Sequence, residues 1–270
     1  MTGVDSGAAS RRRFHQLADV ASLTAFAWLF CTLSGRVLAA APARELAWLL
    51  PLALLAGYLC ADLFSGVVHW VADTWFEEDA PLLGPLLIRP FREHHRDPGA
   101  IARHGPLEVS GNNALVCLPV LAALCWGPAP DAGALAAVGL QSLLLATTAG
   151  VLLTNQFHKW AHAERVPRFA AWLQRRGLIL AAESHAEHHR NPGRRYCVTS
   201  GWWNAPLDAL GVFPALERLL GSRGRRHEER HPRVGPCPET RPPCQPAVEA
   251  DRVRLRAASP HAGLTRDPNP

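Results

Sequence analysis

Residues 132–162 read AGALAAVGLQSLLLATTAGVLLTNQFHKWAH, an apolar run without charge that ends in a polar segment with two histidines. A transmembrane helix needs about 20 mostly apolar residues, and the part from 132 to 157 meets that length. Earlier blocks of the same kind cover residues 20–35, 46–61 and 109–130. The sequence therefore predicts an all-α integral membrane protein with about four transmembrane helices.

The positions of the arginines predict how these helices are oriented. The connection after the second block carries Arg89, Arg92, Arg96 and Arg103. The residues after the fourth block are also rich in cations, whereas the turn at 127–133, between the third and fourth blocks, carries none. By the positive-inside rule, both termini and the two cation-rich connections are predicted to be cytoplasmic. Lysine occurs once among the 28 basic residues, which is typical of a GC-rich bacterial genome, so the predicted location is a bacterial inner membrane.

The two ends of the chain differ from its apolar middle. Residues 1–16 are predicted to form a cytoplasmic N-terminal segment, residues 17–221 the membrane domain, and the Arg- and Pro-rich residues 222–270 a disordered tail. The first apolar block is longer than the apolar region of a signal peptide and is interpreted as a span. The net charge of +5 comes without a basic cluster interleaved with aromatic residues, so no nucleic acid partner is predicted. The sequence does not indicate the oligomeric state.

The cysteines do not form a thiolate metal motif. Four of the seven lie in the apolar blocks, and no Cys-x-x-Cys occurs. These four are Cys31, Cys60, Cys117 and Cys125. They are predicted to be small core residues.

The histidines point to a metal site. Most of the thirteen fall in two windows, residues 69–104 and 158–189, and each window begins where an even-numbered block reaches the cytoplasmic side. Helices at the cytoplasmic ends of two hairpins are therefore predicted to bring their histidines together in a di-metal site.

The first window opens with acidic residues and a histidine on one helical face. Asp62, His69 and Asp73 are spaced by seven and four residues, which places them on one stripe of a helix that continues the second block. An aspartate within an apolar span needs a partner, so Asp62 is interpreted as a metal ligand or as the partner of one. A buried Asp–His hydrogen bond that only holds helices together is the alternative.

Two adjacent histidines follow in the same window. His94 and His95 would point about 100° apart on a helix, so they can serve two metals, or one metal and its surroundings. His104 lies nine residues further on.

The second window has the spacing of metal-binding helices. His158 and His162 are four residues apart and share a helical face, and His185, His188 and His189 repeat spacings of three and four. A solvated polar helix surface is the alternative interpretation of either motif.

The number and type of these side chains favour two iron ions. Imidazole suits zinc, copper, iron and nickel, and about eight histidines exceed the three protein ligands of a catalytic zinc. At the ends of apolar helices the ions would meet a lipid tail, whose unactivated C–H bonds need an oxidant derived from O2. A zinc-dependent membrane hydrolase is the alternative, although the sequence lacks a His-Glu-x-x-His motif.

Several strings resemble the motifs of a known family, the CarF/plasmanylethanolamine desaturase family. They are HWVADTW (69–75), RPFREHHRDP (89–98), NQFHKWAH (155–162), HAEHH (185–189) and TSGWWNAPLD (199–208). The resemblance covers roughly residues 50–220, and the ordered set is more specific than a generic histidine motif. Ser184 departs from the family, whose members have another histidine at that position.

The resemblance implies an O2-dependent enzyme that converts the alkyl ether chain of a plasmanyl phospholipid into the vinyl ether of a plasmalogen. Residues 17–221 would then be a membrane desaturase domain with two iron ions, and electrons would come from a small donor of the cytochrome b5 or ferredoxin type. The iron ligands implied by matching motif are His69, His94, His95, His158, His162, His185, His188 and His189, with Asp73 a ligand or close partner. His104 ranks lower as a ligand.

Other functions stay open at this point. Family resemblance extends to plant plastid desaturases that act on an acyl chain of phosphatidylglycerol, so an acyl-lipid desaturase is the first alternative. A hydroxylase with the same centre is the second. A non-catalytic membrane metal-binding protein in an oxidative-stress response is the third.

Overall fold

The computed structural model describes residues 3–81, 84, 88–130 and 134–220. Within this part every regular element is a helix and no strand occurs, which confirms the all-α prediction. The helices are α1 (Gly3–Ala40), α2 (Ala43–Thr74), α3 (Arg89–Arg96), α4 (Ala100–Arg103), α5 (Pro106–Trp126), α6 (Leu135–His162), α7 (Arg168–Arg175), α8 (Ala182–Arg190), α9 (Asn204–Ala209) and α10 (Val212–Leu220). The predicted disordered tail at 222–270 lies outside the described residues.

In the described part of the chain, four helices are long and apolar enough to cross a membrane, as predicted. The candidate spans are His15–Ala40 in α1 and the whole of α2, α5 and α6. Helix α5 ends at Trp126, four residues before the predicted boundary, because Pro128 and Pro130 cannot continue the helical hydrogen bonding.

Helices α2 and α6 are longer than the hydrocarbon layer requires. They have 32 and 28 residues, whereas about 20 residues cross a layer of about 30 Å. In both helices the excess at the C-terminal end carries histidines. If a span of about 20 residues starts at the N-terminal end of each helix, these side chains lie beyond its end.

The helices α2 and α6 cross closely because small residues face each other. A Cβ atom added to Gly57 would lie 2.4 Å from the Cβ of Ala146, and one added to Gly150 would lie 2.6 Å from the Cβ of Ala61. Each helix thus presents a pair of small residues four positions apart, the pattern by which transmembrane helices bring their backbones together.

Helices α1 and α5 form the second part of the bundle. Buried side chains of α1, among them Leu29 and Leu33, share one apolar core with Ala114 and Leu121 of α5. The Arg36 guanidinium donates to the carbonyl oxygen of Cys125 at 2.7 Å and so satisfies an acceptor in the last turn of α5.

The prediction of core cysteines is half wrong. Cys117 is buried and Cys125 is partly buried, but Cys31 and Cys60 lie on outward faces of their helices. The outward face of a transmembrane helix contacts apolar lipid, so a small apolar residue in a span does not indicate whether it faces the lipid or the core of the bundle.

The crossing of α2 and α6 makes Gly57→Val a sharp test of the fold. The added side chain would overlap Ala146, so we expect a loss of about 1–3 kcal/mol in unfolding free energy and a lower melting temperature of the detergent-solubilised protein. Gly35→Ala in α1 is the matched control, because an added Cβ there meets nothing within 4 Å. Equal stability of the Gly57 variant and the wild type would contradict the close crossing.

Candidate metal centre

Eight of the nine predicted ligands form two groups of four. Within each group the donor atoms lie within 4.8 Å of one another. We call His94, His162, His185 and His189 the first tetrad, and His69, Asp73, His95 and His188 the second tetrad. Ligands about 2.1 Å from one ion are at most about 4.2 Å apart, so each tetrad is close to the size of a metal site.

The helix periodicity divides neighbouring histidines between the two tetrads. On α3, His94 belongs to the first tetrad and His95 to the second, and on α8, His189 and His188 are divided in the same way. The ring centroids of His94 and His95 are 4.3 Å apart, and those of His95 and His189 are 4.8 Å apart. The tetrads therefore lie side by side, which is an arrangement for two neighbouring ions.

His158 lies against the first tetrad without belonging to it. Its Nε2 atom is 2.7 Å from Nε2 of His185 and 3.2 Å from Nε2 of His162. The structure thus brings all nine predicted residues into one centre at the ends of α2 and α6.

Backbone carbonyls orient two of the second-tetrad rings. The Nδ1 atom of His69 is 3.0 Å from the carbonyl oxygen of Tyr196, and Nδ1 of His188 is 2.5 Å from that of Arg194. A carbonyl oxygen only accepts hydrogen bonds, so Nδ1 carries the proton in both rings and Nε2 presents a lone pair to the centre.

Asp73 supplies a carboxylate to the second tetrad. Its Oδ2 atom is 3.0 Å from Nε2 of His95, 3.3 Å from Nε2 of His69 and 3.6 Å from Nε2 of His188. The negative charge of Asp73 lies among three imidazoles, where it can partly balance the charge of a cation.

The donor set fits metal cations. Among the described residues, the buried Nε2 atoms of His69 and His94 and the Oδ1 atom of Asp73 have no hydrogen-bond partner. Such groups are costly to bury, because water is lost and nothing replaces it. A proton does not readily bind the unpartnered nitrogen of His94, since burial and the neighbouring His158 hold the pKa of His94 well below its usual range. The pKa of His185 is lowered for the same kind of reason, burial first and neighbouring imidazoles second.

Asp62 belongs to neither tetrad, which corrects its interpretation as a metal ligand and leaves it as a supporting residue of the site. Its Oδ1 atom accepts hydrogen bonds from the backbone N–H groups of Thr199 at 3.2 Å, Ser200 at 2.8 Å and Gly201 at 2.9 Å. Its Oδ2 atom accepts from the N–H of Trp203 at 3.1 Å. These four N–H groups stabilise the buried carboxylate of Asp62, and Asp62 in turn holds an irregular segment of backbone in place.

This segment, residues 194–204, is held against one stripe of α2. Ser65 lies one turn beyond Asp62 and accepts a hydrogen bond from Val198 N–H at 3.0 Å, and Gly66 leaves room for the side chain of Cys197. His69 lies one further turn along and donates to the Tyr196 carbonyl. The segment thus links the aspartate in the membrane span to the orientation of a ring in the second tetrad.

The role of the Tyr196 and Arg194 carbonyl groups has no sequence signal, because a backbone acceptor is common to all residue types. The motif TSGWWNAPLD contained a usable signal, since Asn204 accepts from Cys197 N–H at 2.8 Å and donates to its carbonyl at 2.9 Å. His104 lies outside both tetrads, with its Nδ1 atom 2.7 Å from a carboxylate oxygen of Glu108.

Comparison with known proteins relates this centre to lipid-modifying enzymes. The family described as Lipid desaturase domain matches residues 58–230. A plasmanylethanolamine desaturase of Myxococcus xanthus is 49% identical over 175 residues, which are 64% of this chain and 61% of that protein. Plasmanylethanolamine desaturase 1 of Mus musculus is 40% identical over 180 residues, 63% of this chain and 64% of the relative. These similarities confirm the resemblance inferred from the motifs.

A plant relative is somewhat more distant. Fatty acid desaturase 4, chloroplastic, of Arabidopsis thaliana is 36% identical over 185 residues, 66% of this chain and 55% of the relative. The chain thus spans less than two thirds of the length of each of these three relatives. No solved structure matches the chain.

The role of Asp62 can be tested by Asp62→Asn. The amide keeps the size of the side chain but turns a donor toward a backbone N–H, so we expect a loss of at least about 2 kcal/mol in unfolding free energy. Hydrogen exchange of the amides at 199–203 should accelerate. Asp97→Asn is the matched control, because Asp97 also accepts a backbone N–H but is exposed, and little change is expected there. Unchanged exchange at 199–203 in the Asp62 variant would contradict the clamp.

Proposed function

Because the chain belongs to the family that shares the lipid desaturase domain, we propose that it is a di-iron membrane desaturase that forms the vinyl ether of plasmalogens. The proposed substrate is a plasmanylethanolamine, in which an alkyl chain is joined to glycerol by an ether bond. The observation that carries this proposal is the pair of adjacent histidine-rich tetrads at the ends of two transmembrane helices. The names of the relatives at 49% and 40% identity support the choice of substrate.

The proposed reaction is a four-electron reduction of O2. The alkyl chain loses one hydrogen atom from each of carbons 1 and 2, which is two protons and two electrons in total. A donor protein supplies two further electrons and the solvent supplies two protons, so that O2 leaves as two molecules of water. When bound, two iron ions would supply the oxidising power that removal of hydrogen from an unactivated C–H bond needs. We propose that a small donor of the cytochrome b5 or ferredoxin type provides the electrons.

The residues of the centre have separate tasks in this proposal. The eight histidines and Asp73 hold the ions, and His158 acts from the edge of the first tetrad. Tyr196 and Arg194 keep the Nε2 lone pairs of His69 and His188 directed inward through their carbonyls. Asp73 reduces the net positive charge that two cations would place in a buried site.

The depth of the centre supports a reaction close to the lipid headgroup. His69 and His158 lie beyond the first 20 residues of α2 and α6, so the centre is at the edge of the apolar layer. Carbons 1 and 2 of an alkyl ether chain are the carbons next to the ether oxygen, at the same edge. We propose that this edge faces the cytoplasm of a bacterial cell, as the arginine distribution predicts.

An acyl-lipid desaturase is the second candidate. It is favoured by the similarity to the Arabidopsis relative, which is named as a fatty acid desaturase. The higher identity to the two plasmanylethanolamine desaturases places it behind the first candidate.

The decisive experiment expresses the chain in a host without plasmalogens, supplied with an alkylglycerol precursor. The wild type should produce acid-labile vinyl ether lipid and purify with iron in both tetrads, two ions per chain. His162→Ala removes a first-tetrad ligand, so the vinyl ether should fall to the background of the host and the iron content should drop. Lipid mass spectrometry and metal analysis of the purified protein measure the two quantities.

His15→Gln is the matched control, because His15 lies in α1 and belongs to neither tetrad. It should retain both product and iron. A change in fatty acid unsaturation without vinyl ether would favour the acyl-lipid candidate, and a hydroxylated chain would indicate a hydroxylase. Bound zinc without iron, or full activity of His162→Ala, would contradict the di-iron proposal.

A further inference from the structure

A cavity of about 190 Å³ leads from the surface to the metal centre. It lies between α3, α4, the start of α5 and α6, and His94 and His158 form part of its wall. Since His94 belongs to the first tetrad and His158 lies against it, residues of the metal centre form part of the cavity wall.

The lining of the cavity changes in character from its inner wall to its mouth. Phe91, Ile101 and Val109 provide buried or partly buried apolar surface, whereas the exposed residues of the lining are polar apart from Pro90. The exposed polar residues are Glu93, His104, Glu108 and Asn112. A mostly polar exposed lining and apolar buried side chains suit the headgroup and the chain carbons of a phospholipid, respectively.

The mouth of the cavity is acidic. Glu93 and Glu108 are the charged residues of the lining, and no lysine or arginine contributes to the lining in the described ranges. One carboxylate oxygen of Glu108 lies 2.7 Å from Nδ1 of His104. The Glu108 side chain is 59% exposed. The Lys159 ammonium donates to the carbonyl oxygen of His104, so a cation lies beside the mouth, outside the lining.

We propose that Glu108, with Glu93, binds the ammonium group of an ethanolamine headgroup at the mouth of this cavity and so selects zwitterionic amino lipids over anionic ones. The inference rests on the proposed desaturase function and specifies its substrate. A carboxylate gains a charge-assisted hydrogen bond from an ammonium group and gains none from a phosphoglycerol headgroup, which instead brings a net negative charge to an acidic surface. Lys159, on the His104 side, is placed to face the phosphate of the same headgroup.

Competition between two headgroups tests this site. The full chain is purified with its metal into nanodiscs that contain equal amounts of synthetic alkyl-ether phosphatidylethanolamine and alkyl-ether phosphatidylglycerol. Native mass spectrometry measures the ratio of the two lipids retained, and lipid analysis after turnover measures the ratio of the two vinyl ether products. An exposed charge pair changes affinity modestly, so we expect the wild type to prefer the ethanolamine lipid about fivefold.

Variants of the mouth separate binding from a structural role of the His104–Glu108 pair. Glu108→Gln should bring the ratio close to one, and Glu108→Lys should reverse it toward phosphatidylglycerol. His104→Gln breaks the same pair but leaves the carboxylate available, so the ethanolamine preference should persist or increase. Asp79→Asn is the matched control, because Asp79 is an exposed carboxylate outside the cavity and should behave as the wild type.

The outcomes distinguish this inference from the function on which it rests. Equal ratios in the wild type and all variants, with vinyl ether formed, would overturn the headgroup site and leave the desaturase standing. Parallel loss of preference in Glu108→Gln and His104→Gln would also overturn it, because the pair would then be structural. If the wild type prefers the ethanolamine lipid, the Glu108 variants lose that preference and no vinyl ether is formed, the headgroup site would be supported and the proposed reaction would be contradicted.

Discussion

The structure depends on one electrostatic constraint, which is that imidazole nitrogens from four helices face one another in a buried centre. The Nε2 atoms of His158, His162, His185 and His189 approach at 2.7–3.3 Å, although a neutral imidazole has a single N–H to share. In the second tetrad, the protons of His69 and His188 are directed away to carbonyl groups, so that lone pairs point inward. Cations resolve this repulsion, whereas protons are resisted by burial. The protein must therefore hold mutually unfavourable groups in place by other contacts.

Those contacts lie along one stripe of α2. Asp62, Ser65 and His69 follow at successive turns and engage the backbone of Thr199, Val198 and Tyr196 in the reverse order. On a neighbouring face α2 packs closely on α6 through small residues, and α6 delivers His158 and His162 to the same centre. Ligands of both tetrads are thus fixed to one rigid unit of two helices and a clamped segment. Such support by surrounding contacts is what keeps ligand positions accurate enough for metal chemistry.

Sequence reasoning succeeded where a periodic pattern carries the information. The apolar blocks predicted four spans, and the spacings of His69 and Asp73 and of His158 and His162 placed each pair on one helical face. It failed for the irregular segment at 194–204, where the hydrogen bonds of the backbone have no periodicity. Asp62 was assigned to the metal site because a buried carboxylate needs a partner, and that reasoning cannot distinguish a cation from four N–H groups. The division of adjacent histidines between two tetrads depends on the rotation of α3 and α8 about their axes, which tertiary packing sets.

The length of α2 and α6 connects this geometry to the proposed chemistry. A desaturase that acts in the middle of a chain must admit many methylene groups past its metal centre, which requires a long apolar tunnel. Here His69 and His158 follow the first 20 residues of α2 and α6, and a cavity of about 190 Å³ lies beside the centre. In the proposed reaction the headgroup and the first carbons of the chain occupy this cavity, and the rest of the chain stays in the bilayer. The two relatives named as plasmanylethanolamine desaturases align with 63–64% of this chain, and the proposed bond next to the ether oxygen lies at the headgroup end of the lipid chain.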